Sequence, residues 1–249
     1  MKYSPLTLRI KRFHKERTPQ QWIETFQVEI RKGMNLLEAL FRIQDEQDGT
    51  LAFRYSCRGA VCGSCAMRVN GKDVLACRTH VESLPEKPVL IEPLPHFQVI
   101  RDLVVNMSTF FNHYRKIEPY LHGKPIFSQT EYIMREEDRK EIDPYIQCIL
   151  CGICFATCPA FEKDPGFLGP AVLAKTYRFL ADSRDIRNEE ILKDVNNQQG
   201  VWGCKTVFNC MEVCPKQVPP THAIVKIRRR ILTYRVSSLV SSFLHRLRK

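Results

Sequence analysis

The chain has 249 residues, enough for one large or two small domains, and 44% of them are hydrophobic, a share that can form packed cores. Its formal net charge of +11 raises nucleic acid or an anionic membrane as partners. The eleven cysteines are an odd number, which excludes a framework of disulfides that pairs them all. No window holds 18 uninterrupted apolar residues, and the start lacks the apolar core of a signal peptide, so we expect neither a membrane span nor a secretory signal.

The first elements along the chain predict a small domain of strands and one helix. Residues 6–13 and 26–30 read as strands. Asn35 is a candidate N-cap, and Glu38 follows it by three residues as in a capping box, just before apolar residues at helical spacing. Strand, strand, helix, cysteine loop and hairpin is the order of a β-grasp ferredoxin domain, which we place at residues 1–100.

The first group of cysteines follows this helix in the spacing C-x4-C-x2-C, with a fourth cysteine behind. This is the spacing of plant-type 2Fe–2S sites. Asn70–Gly71 lies at the centre of an alternating segment and is a strong signal for a type I′ hairpin turn. Pairs counted outward from the turn place Ala76 opposite Cys65, so the hairpin returns the fourth thiolate to the other three. The predicted 2Fe–2S ligands are Cys57, Cys62, Cys65 and Cys77.

Two further cysteine runs lie in the second half of the chain. Residues 148–158 have the spacing C-x2-C-x2-C-x3-C before Pro159, the bacterial ferredoxin run in which the last cysteine ligates the other cluster. Residues 204–214 repeat the pattern with Val207 where the second cysteine would stand. A cube with no thiolate at one corner tends to lack that iron, which predicts a 3Fe–4S cluster. The predicted 4Fe–4S ligands are Cys148, Cys151, Cys154 and Cys214, and the predicted 3Fe–4S ligands are Cys158, Cys204 and Cys210.

Disulfides and structural zinc are the alternatives to iron–sulfur clusters. A chain of this length does not need disulfide staples, and zinc prefers two separate C-x2-C pairs or mixed Cys and His ligands. Sets of four, four and three ligands account for all eleven cysteines. Because cluster thiolates are anions and each oxidised cluster carries about −2 in all, the assembled protein is nearer to roughly +5. Part of the basic excess is therefore internal compensation.

Helices are predicted for the rest of the second half. Residues 102–120 place apolar side chains on one side of a helix. Gly169–Pro170 begins another, since proline suits the first turn, and the chain is helical again from Thr221. We therefore predict an α+β protein whose α-helical domain, at residues 101–249, resembles bacterial ferredoxins in its two cysteine runs.

Two charged segments are assigned no chemical role. Residues 135–141, REEDRKE, are interpreted as a solvated face. The tail at residues 236–249 alternates apolar pairs with basic residues at roughly helical spacing. Contact with lipid headgroups or an anionic partner and a solvated helix end both remain open for this tail.

The whole arrangement resembles the iron–sulfur subunits of succinate dehydrogenases and fumarate reductases. Besides the cysteines, the resemblance rests on SCRGAVCGSCAMRVNG, RDLVVNM, LGPAVLAKTYRFLADSRD, VWGC and CPKQVPPTHAI, and it covers nearly the whole chain. It implies a flavoprotein subunit that interconverts succinate and fumarate at covalently bound FAD. It also implies a cytochrome b type membrane anchor that binds quinone, often with haem b. The chain itself would carry electrons and perform no bond chemistry.

The resemblance also implies an order of clusters and a quinone site. The 2Fe–2S cluster would lie toward the flavin, the 4Fe–4S cluster in the middle and the 3Fe–4S cluster beside the quinone. Ubiquinone-reducing members have tryptophans after the first Cys-Pro and a histidine after the cysteine that matches Cys204. Here the sequence reads AFEKDPGF and Lys205, which favours menaquinone-linked enzymes, including fumarate reductases.

Four residues are quinone-proximal by family position: Pro159, Lys205, Val207 and Arg228. Lys205 and Arg228 are equally open to a reading as surface or interface cations. With a dihaem anchor the quinone would bind farther away, and these residues would not contact it.

Three other functions compete with this one. A soluble polyferredoxin is disfavoured by the fused plant-type domain. A relay subunit for glycolate oxidation or heterodisulfide reduction typically has two complete cysteine runs, so Val207 argues against it. Nucleic-acid binding lacks a recognition helix or an aromatic platform, so we expect no nucleic-acid partner. The expected location is the cytoplasmic face of a bacterial inner membrane, held there by the anchor.

Overall fold

The computed structural model describes residues 4–84, 88–123 and 131–247, which divide into two compact units. The first unit comprises the chain up to Phe110 together with Ile149–Thr157 and Val213–Lys216. The second comprises Phe111–Cys148, Cys158–Glu212 and the chain from Gln217. The α+β class is confirmed, with the sheet in the first unit. The division at residue 100 stays a prediction.

Five strands form a mixed sheet in the first unit. They are β1 Ser4–Phe13, β2 Gln21–Ile30, β3 Ala66–Val69, β4 Lys72–Leu75 and β5 Val89–Glu92. Their order is β2-β1-β5-β3-β4, in which β1 and β5 are parallel and the other neighbours are antiparallel. The two strands predicted at the start of the chain are confirmed and are longer than predicted. Strand β1 lies inside the sheet between β2 and β5, and its inward apolar residues are fully buried: Leu6, Leu8 and Ile10.

Helix α1, Leu36–Glu46, packs into the same core as the sheet. The Asn35 side chain accepts a bond from the Glu38 backbone N–H at 3.0 Å, and the Glu38 side chain accepts from the Asn35 N–H at 2.8 Å. The predicted capping box is therefore confirmed. Leu40 and Ile43 are fully buried, as the helical spacing predicted.

The helix predicted over residues 102–120 is wrong at both ends, because the observed helix covers only residues 108–116. A short hairpin, β6 Val99–Arg101 and β7 Val104–Val105, precedes helix α2, Ser108–Lys116. Asp102 lies in the hairpin turn with φ +44°. Its carboxylate accepts bonds from the backbone N–H groups of Phe13, at 3.1 Å, and Ala52, at 2.8 Å. These long-range bonds hold residue 102 outside a helix.

The remaining helices are mostly in the second unit. They are α3 Glu136–Ile146, α4 Ile153–Ala156, α5 Pro159–Lys163, α6 Pro170–Leu180, α7 Asn188–Val195, α8 Asn209–Glu212 and α9 Pro220–Leu247. Of these, α4 belongs to the first unit. The predicted helix starts at Gly169–Pro170 and near Thr221 are confirmed.

Of the helices in the described ranges, none has both the length and the apolar character that a membrane span needs. Helix α9 extends into the basic tail at residues 236–249. The side chains of that tail after Val236, on which its prediction depends, lie outside the described residues.

The segment at residues 135–141 is only in part the solvated face that was predicted. Its last residue, Glu141 in α3, accepts a 2.7 Å bond from Nζ of Lys226 in α9 and a bond from the hydroxyl of Tyr177 in α6. Although burial raises the pKa of Glu141, the Lys226 and Tyr177 bonds lower it below its usual value. This carboxylate therefore joins three helices of the second unit.

Candidate iron–sulfur sites

The loop from Cys57 to Cys65 turns its backbone N–H groups toward sulfur. The N–H groups of Gly59, Val61 and Cys62 donate to Cys57 Sγ at 3.4, 3.3 and 3.2 Å. The Cys57 N–H donates to Cys62 Sγ at 3.4 Å. Donors aimed at a sulfur favour its anionic form, which is the form that binds iron. The loop is therefore suited to hold thiolate ligands.

Left-handed backbone turns produce this arrangement. Arg58 and Ala60 each have φ +56°, and Gly63 has φ +73°. Where left-handed residues alternate with right-handed ones, successive backbone N–H groups point into one concave surface that binds anions. The guanidinium of Arg58 lies 4.9 Å from the ring centroid of Phe41 and 5.6 Å from that of Tyr55. Arg58 thus combines a backbone conformation that few residues other than glycine adopt with a side chain packed against two aromatic rings.

The hairpin formed by β3 and β4 returns the fourth cysteine, as predicted. Asn70 and Gly71 both have positive φ, +46° and +78°, the signature of a type I′ turn. The Ala76 N–H donates to the Cys65 carbonyl at 3.0 Å, so these two residues are paired. The Cys77 N–H then lies 3.5 Å from Cys65 Sγ. The structure thus brings the two cysteines together.

Electrostatic effects connect these two cysteines with the first loop. Burial and the neighbouring Cys77 and Cys62 thiols together raise the pKa of Cys65 to about 12, against a Cys77 backbone bond that lowers it. Burial also raises the pKa of Cys62, but bonds from the Ser64 side chain and from the Cys57 and Ser64 backbone bring it down to about 6. The four sulfurs predicted to bind 2Fe–2S are therefore one interacting group, and they fit that cluster.

Three of the predicted 4Fe–4S ligands, Cys151, Cys154 and Cys214, lie in the first unit. The backbone there is packed on aromatic side chains. Phe155 in α4 stacks on Phe97 with centroids 5.4 Å apart and meets Phe110 edge-on at 5.3 Å.

Cys151 packs against the hydrophobic core that includes Cys65. Val213, the residue before Cys214, packs against the same core. The fourth predicted ligand, Cys148, is the last residue of a segment of the second unit. The assignment of all four to one cluster stays a prediction.

The three thiols predicted to bind 3Fe–4S come together in the second unit. Burial raises the pKa of Cys158 and of Cys210, and the Cys204 thiol lies close enough to raise both further. The hydroxyl oxygen of Thr221 lies 3.2 Å from Cys210 Sγ, and the Thr206 N–H donates to Cys204 Sγ at 3.4 Å. The donor set fits a cluster with three thiolate ligands, and the ligand role itself stays a prediction.

These groups differ from a site for one metal ion. Within the ranges given above, no three His, Cys, Asp or Glu side chains are arranged to hold a single ion. In a cluster, thiolates bind different iron atoms.

The residues predicted to be quinone-proximal have different surroundings. Pro159 is the first residue of α5. Lys205 is exposed, and the side chain of Val207, next to Phe208, is 50% exposed. These three lie on the surface or at a helix start, and their proximity to quinone stays a prediction.

Arg228 is instead bound to the backbone of the cysteine loop. Its Nε and Nη2 donate to the Val201 carbonyl at 3.0 and 2.6 Å, and Nη2 donates to the Cys204 carbonyl at 2.8 Å. Its guanidinium also lies 5.3 Å from the ring centroid of Trp202. The sequence did not reveal this role, because a basic residue 24 positions from Cys204 carries no signal of the bond.

Comparisons with known proteins match both halves of the chain to iron–sulfur domains. A family model described as a 2Fe-2S iron-sulfur cluster binding domain matches residues 7–112. A second, described as a 4Fe-4S dicluster domain, matches residues 145–218.

Two solved structures share the fold. A chain of the Mycobacterium smegmatis Sdh1 complex in the apo form has a TM-score of 0.83 at 26% sequence identity, and the match covers 94% of this chain and 98% of that one. A hypothetical protein from Helicobacter pylori has a TM-score of 0.56 at 14% identity, covering 90% of this chain and 39% of that one. The second likeness concerns the fold alone.

Proposed function

The chain is an iron–sulfur subunit of the succinate dehydrogenase and fumarate reductase family, and on that premise we propose that it relays electrons between FAD in a flavoprotein subunit and a quinone at a membrane anchor. The observation that carries this proposal is the loop whose N–H groups point at Cys57 and Cys62. Such a loop stabilises thiolates, the form of cysteine that binds iron. Bond chemistry would then belong to the partner, and this chain would hold the electron carriers.

The residues of the chain would perform three tasks. Cysteine thiolates would bind the irons, backbone N–H groups would stabilise the charge on sulfur, and the buried cores would keep water away. Bound clusters would supply one-electron exchange, with potentials set by cluster type, hydrogen bonds and exposure. The observed N–H bonds to sulfur and the burial of Cys158 and Cys210 support this division.

We propose a 3Fe–4S cluster at Cys158, Cys204 and Cys210. The support is that these three thiols interact and that Val207, at the second cysteine position of the run, offers no sulfur. Loss of one thiolate corner changes the type of cluster and so its reduction potential.

We further propose that the surface beside this third group faces the anchor and its quinone. Lys205 is exposed there, and the side chains of Val207 and Phe208 are 50% and 44% exposed. A basic and apolar surface suits a junction with an integral membrane subunit of the cytochrome b type, with or without haem b. It also suits a location on the cytoplasmic face of a bacterial inner membrane.

Lys205, together with Glu162 and Lys163 at positions where ubiquinone-linked members have tryptophans, supports a menaquinone-linked enzyme over a ubiquinone-linked one. Within that class we favour a fumarate reductase.

The proposal is tested by low-temperature EPR during a redox titration of the purified complex, with succinate and with a menaquinol analogue as reductants. We expect a 3Fe–4S signal in the oxidised state and a 2Fe–2S signal that succinate brings up. Two 4Fe–4S clusters with no response to succinate would instead assign the chain to the relay subunit of another dehydrogenase.

A further inference from the structure

Gly63 lies between the 2Fe–2S ligands Cys62 and Cys65 and packs directly against Cys151, which we assign to the 4Fe–4S cluster. A Cβ atom on Gly63 would stand 2.7 Å from the Cβ and 2.9 Å from the Cα of Cys151. Ordinary van der Waals contact begins at 3.4 Å, so a methyl group at position 63 needs about 0.7 Å more room. Because both contacted atoms are rigid parts of a ligand residue, that room comes only from moving a ligand segment.

A second contact joins two other segments that carry ligands of the same two sites. Arg78, which follows the ligand Cys77, donates from Nη1 to the carbonyl oxygen of Pro215 at 3.4 Å. Pro215 in turn follows the ligand Cys214. Cys77 and Cys151 also pack against one hydrophobic core. The 2Fe–2S ligand segments and the segments that carry Cys151, Cys154 and Cys214 are therefore parts of the first unit.

We infer that Gly63 is a positioning residue that sets the separation between the 2Fe–2S ligands and the 4Fe–4S ligands. The inference rests on the proposed function, since it assumes that both clusters are bound and pass electrons to each other. Electron transfer between two centres becomes slower as they move apart, so the absence of a side chain at position 63 keeps this step fast. The contact with Cys151 favours glycine at position 63 for a reason that is separate from its positive φ.

Gly71 provides the matched control, because it isolates the effect of conformation. Its φ is +78°, close to the +73° of Gly63, but a Cβ on Gly71 would meet nothing within 4 Å. Gly71→Ala therefore introduces the same kind of backbone strain without a contact. Any effect seen in Gly63→Ala and not in Gly71→Ala arises from the packing against Cys151.

The experiment compares the two variants with the unaltered protein in the purified complex, fully reduced with dithionite. Each reduced cluster carries unpaired spin, and the magnetic interaction between two spins weakens steeply with their separation. We expect loss of part of the interaction broadening on the 2Fe–2S EPR signal in Gly63→Ala and no change in Gly71→Ala. Iron and sulfide analysis of every sample establishes that the clusters are present.

Equal broadening in all three proteins, with both clusters present, would overturn the inference. An equal loss in Gly71→Ala would do so too, because the cause would then be backbone strain. If Gly63→Ala assembles no clusters, Arg78→Gln takes its place, since it removes the second contact without adding volume. Weaker broadening in Arg78→Gln supports the inference, and unchanged broadening contradicts it.

The reductant keeps this test separate from that of the proposed function. Dithionite reduces the clusters without succinate or quinone. A complex that shows the expected broadening change but no response to succinate contradicts the proposed function and leaves the positioning role of Gly63 intact.

Discussion

Nη2 of Arg228 donates a 2.8 Å hydrogen bond to the carbonyl oxygen of Cys204. The same guanidinium binds the Val201 carbonyl through two nitrogens, at 3.0 and 2.6 Å. A planar guanidinium can bind two carbonyls at once, whereas a lysine ammonium is a point charge without that fixed geometry. Arg228 therefore holds the loop before the third thiol group by its shape as well as by its charge.

The first prediction concerns the substitution Arg228→Lys, which keeps the charge and removes the planar group. Loss of one charged hydrogen bond lowers the stability of the loop by about 1.5–3 kcal/mol. We expect less three-iron cluster per chain, measured by spin quantitation of the oxidised EPR signal. A full signal with only a raised KM for quinol would contradict this role and assign Arg228 to the quinone site.

The second prediction concerns Val207→Cys, which restores the fourth thiolate of the run. We expect anaerobic reconstitution to replace the oxidised three-iron EPR signal with the signal of a reduced 4Fe–4S cluster. Phe208→Cys is the control, because it adds a thiol to the same loop one position away and should keep the three-iron signal. An unchanged three-iron signal in Val207→Cys would contradict the ligand assignment.

The third prediction concerns Lys205→Ala at the exposed position after Cys204. The substitution removes a cation from the surface proposed to face the quinone, so we expect a raised KM for a menaquinol analogue and unchanged cluster content. Lys216→Ala is the control, because it removes a lysine that also lies next to a cysteine run, two residues after Cys214. Unaltered menaquinol kinetics in Lys205→Ala would remove this residue from the site.

The fourth prediction concerns the buried cation of the first unit. The side chains of Arg12 and Asp102 are 3% and 1% exposed and lie 3.0 Å apart. Arg12→Met leaves the carboxylate buried without this partner, and we expect a loss of about 3–5 kcal/mol in the free energy of unfolding. The measurement is the urea concentration at which 2Fe–2S absorption is lost.

Lys11→Met is the control for that measurement. Lys11 forms an ion pair of 3.5 Å with Glu92, and the two side chains are 40% and 26% exposed. Such a pair contributes about 0–1 kcal/mol. Equal shifts in the two variants would contradict the role given to Arg12.

The fifth prediction is a pH dependence of stability that arises from His113. Burial lowers the pKa of His113 below 6.5, and the Lys116 cation lowers it further, against smaller opposing effects of Asp164 and a Phe167 backbone bond. The unfolded chain therefore takes up the proton first as the pH falls. Stability is fully present above about pH 6.5 and declines below it by at most about 1.4 kcal/mol per pH unit.

This slope is measured as the change in urea midpoint between pH 7.5 and pH 5.5, in the protein and in His113→Gln. The variant has no imidazole to protonate, so its slope should be smaller over this range. Identical slopes would show that the decline comes from other groups.

Local signals predicted the elements that depend on neighbours in sequence. Asn35 and Glu38 form the expected capping box, and Asn70–Gly71 form the expected turn with Cys65 paired to Ala76. In each case the contacting residues are no more than eleven positions apart along the chain. Composition and spacing are then sufficient, because the partners are present in the same short segment.

Long-range contacts account for what could not be predicted. Asp102 is held in a turn by N–H groups 89 and 50 positions away, so helical periodicity alone misplaced it. Glu141 looked solvated because its partner Lys226 is 85 positions away. The need for glycine at position 63 depends on Cys151, whose packing no pattern in the first cysteine loop encodes.

The discontinuity of the first unit has a consequence for synthesis on the ribosome. The unit includes Val213–Lys216, so roughly 100 residues must be added after Phe110 before its last segment exists. At about 5–20 residues per second this takes on the order of 5–20 s. During that interval the nascent chain presents the whole Cys57–Cys77 region without its later packing partners. During this interval iron can be delivered to the Cys57–Cys77 region before either of the other two groups of cysteines is complete.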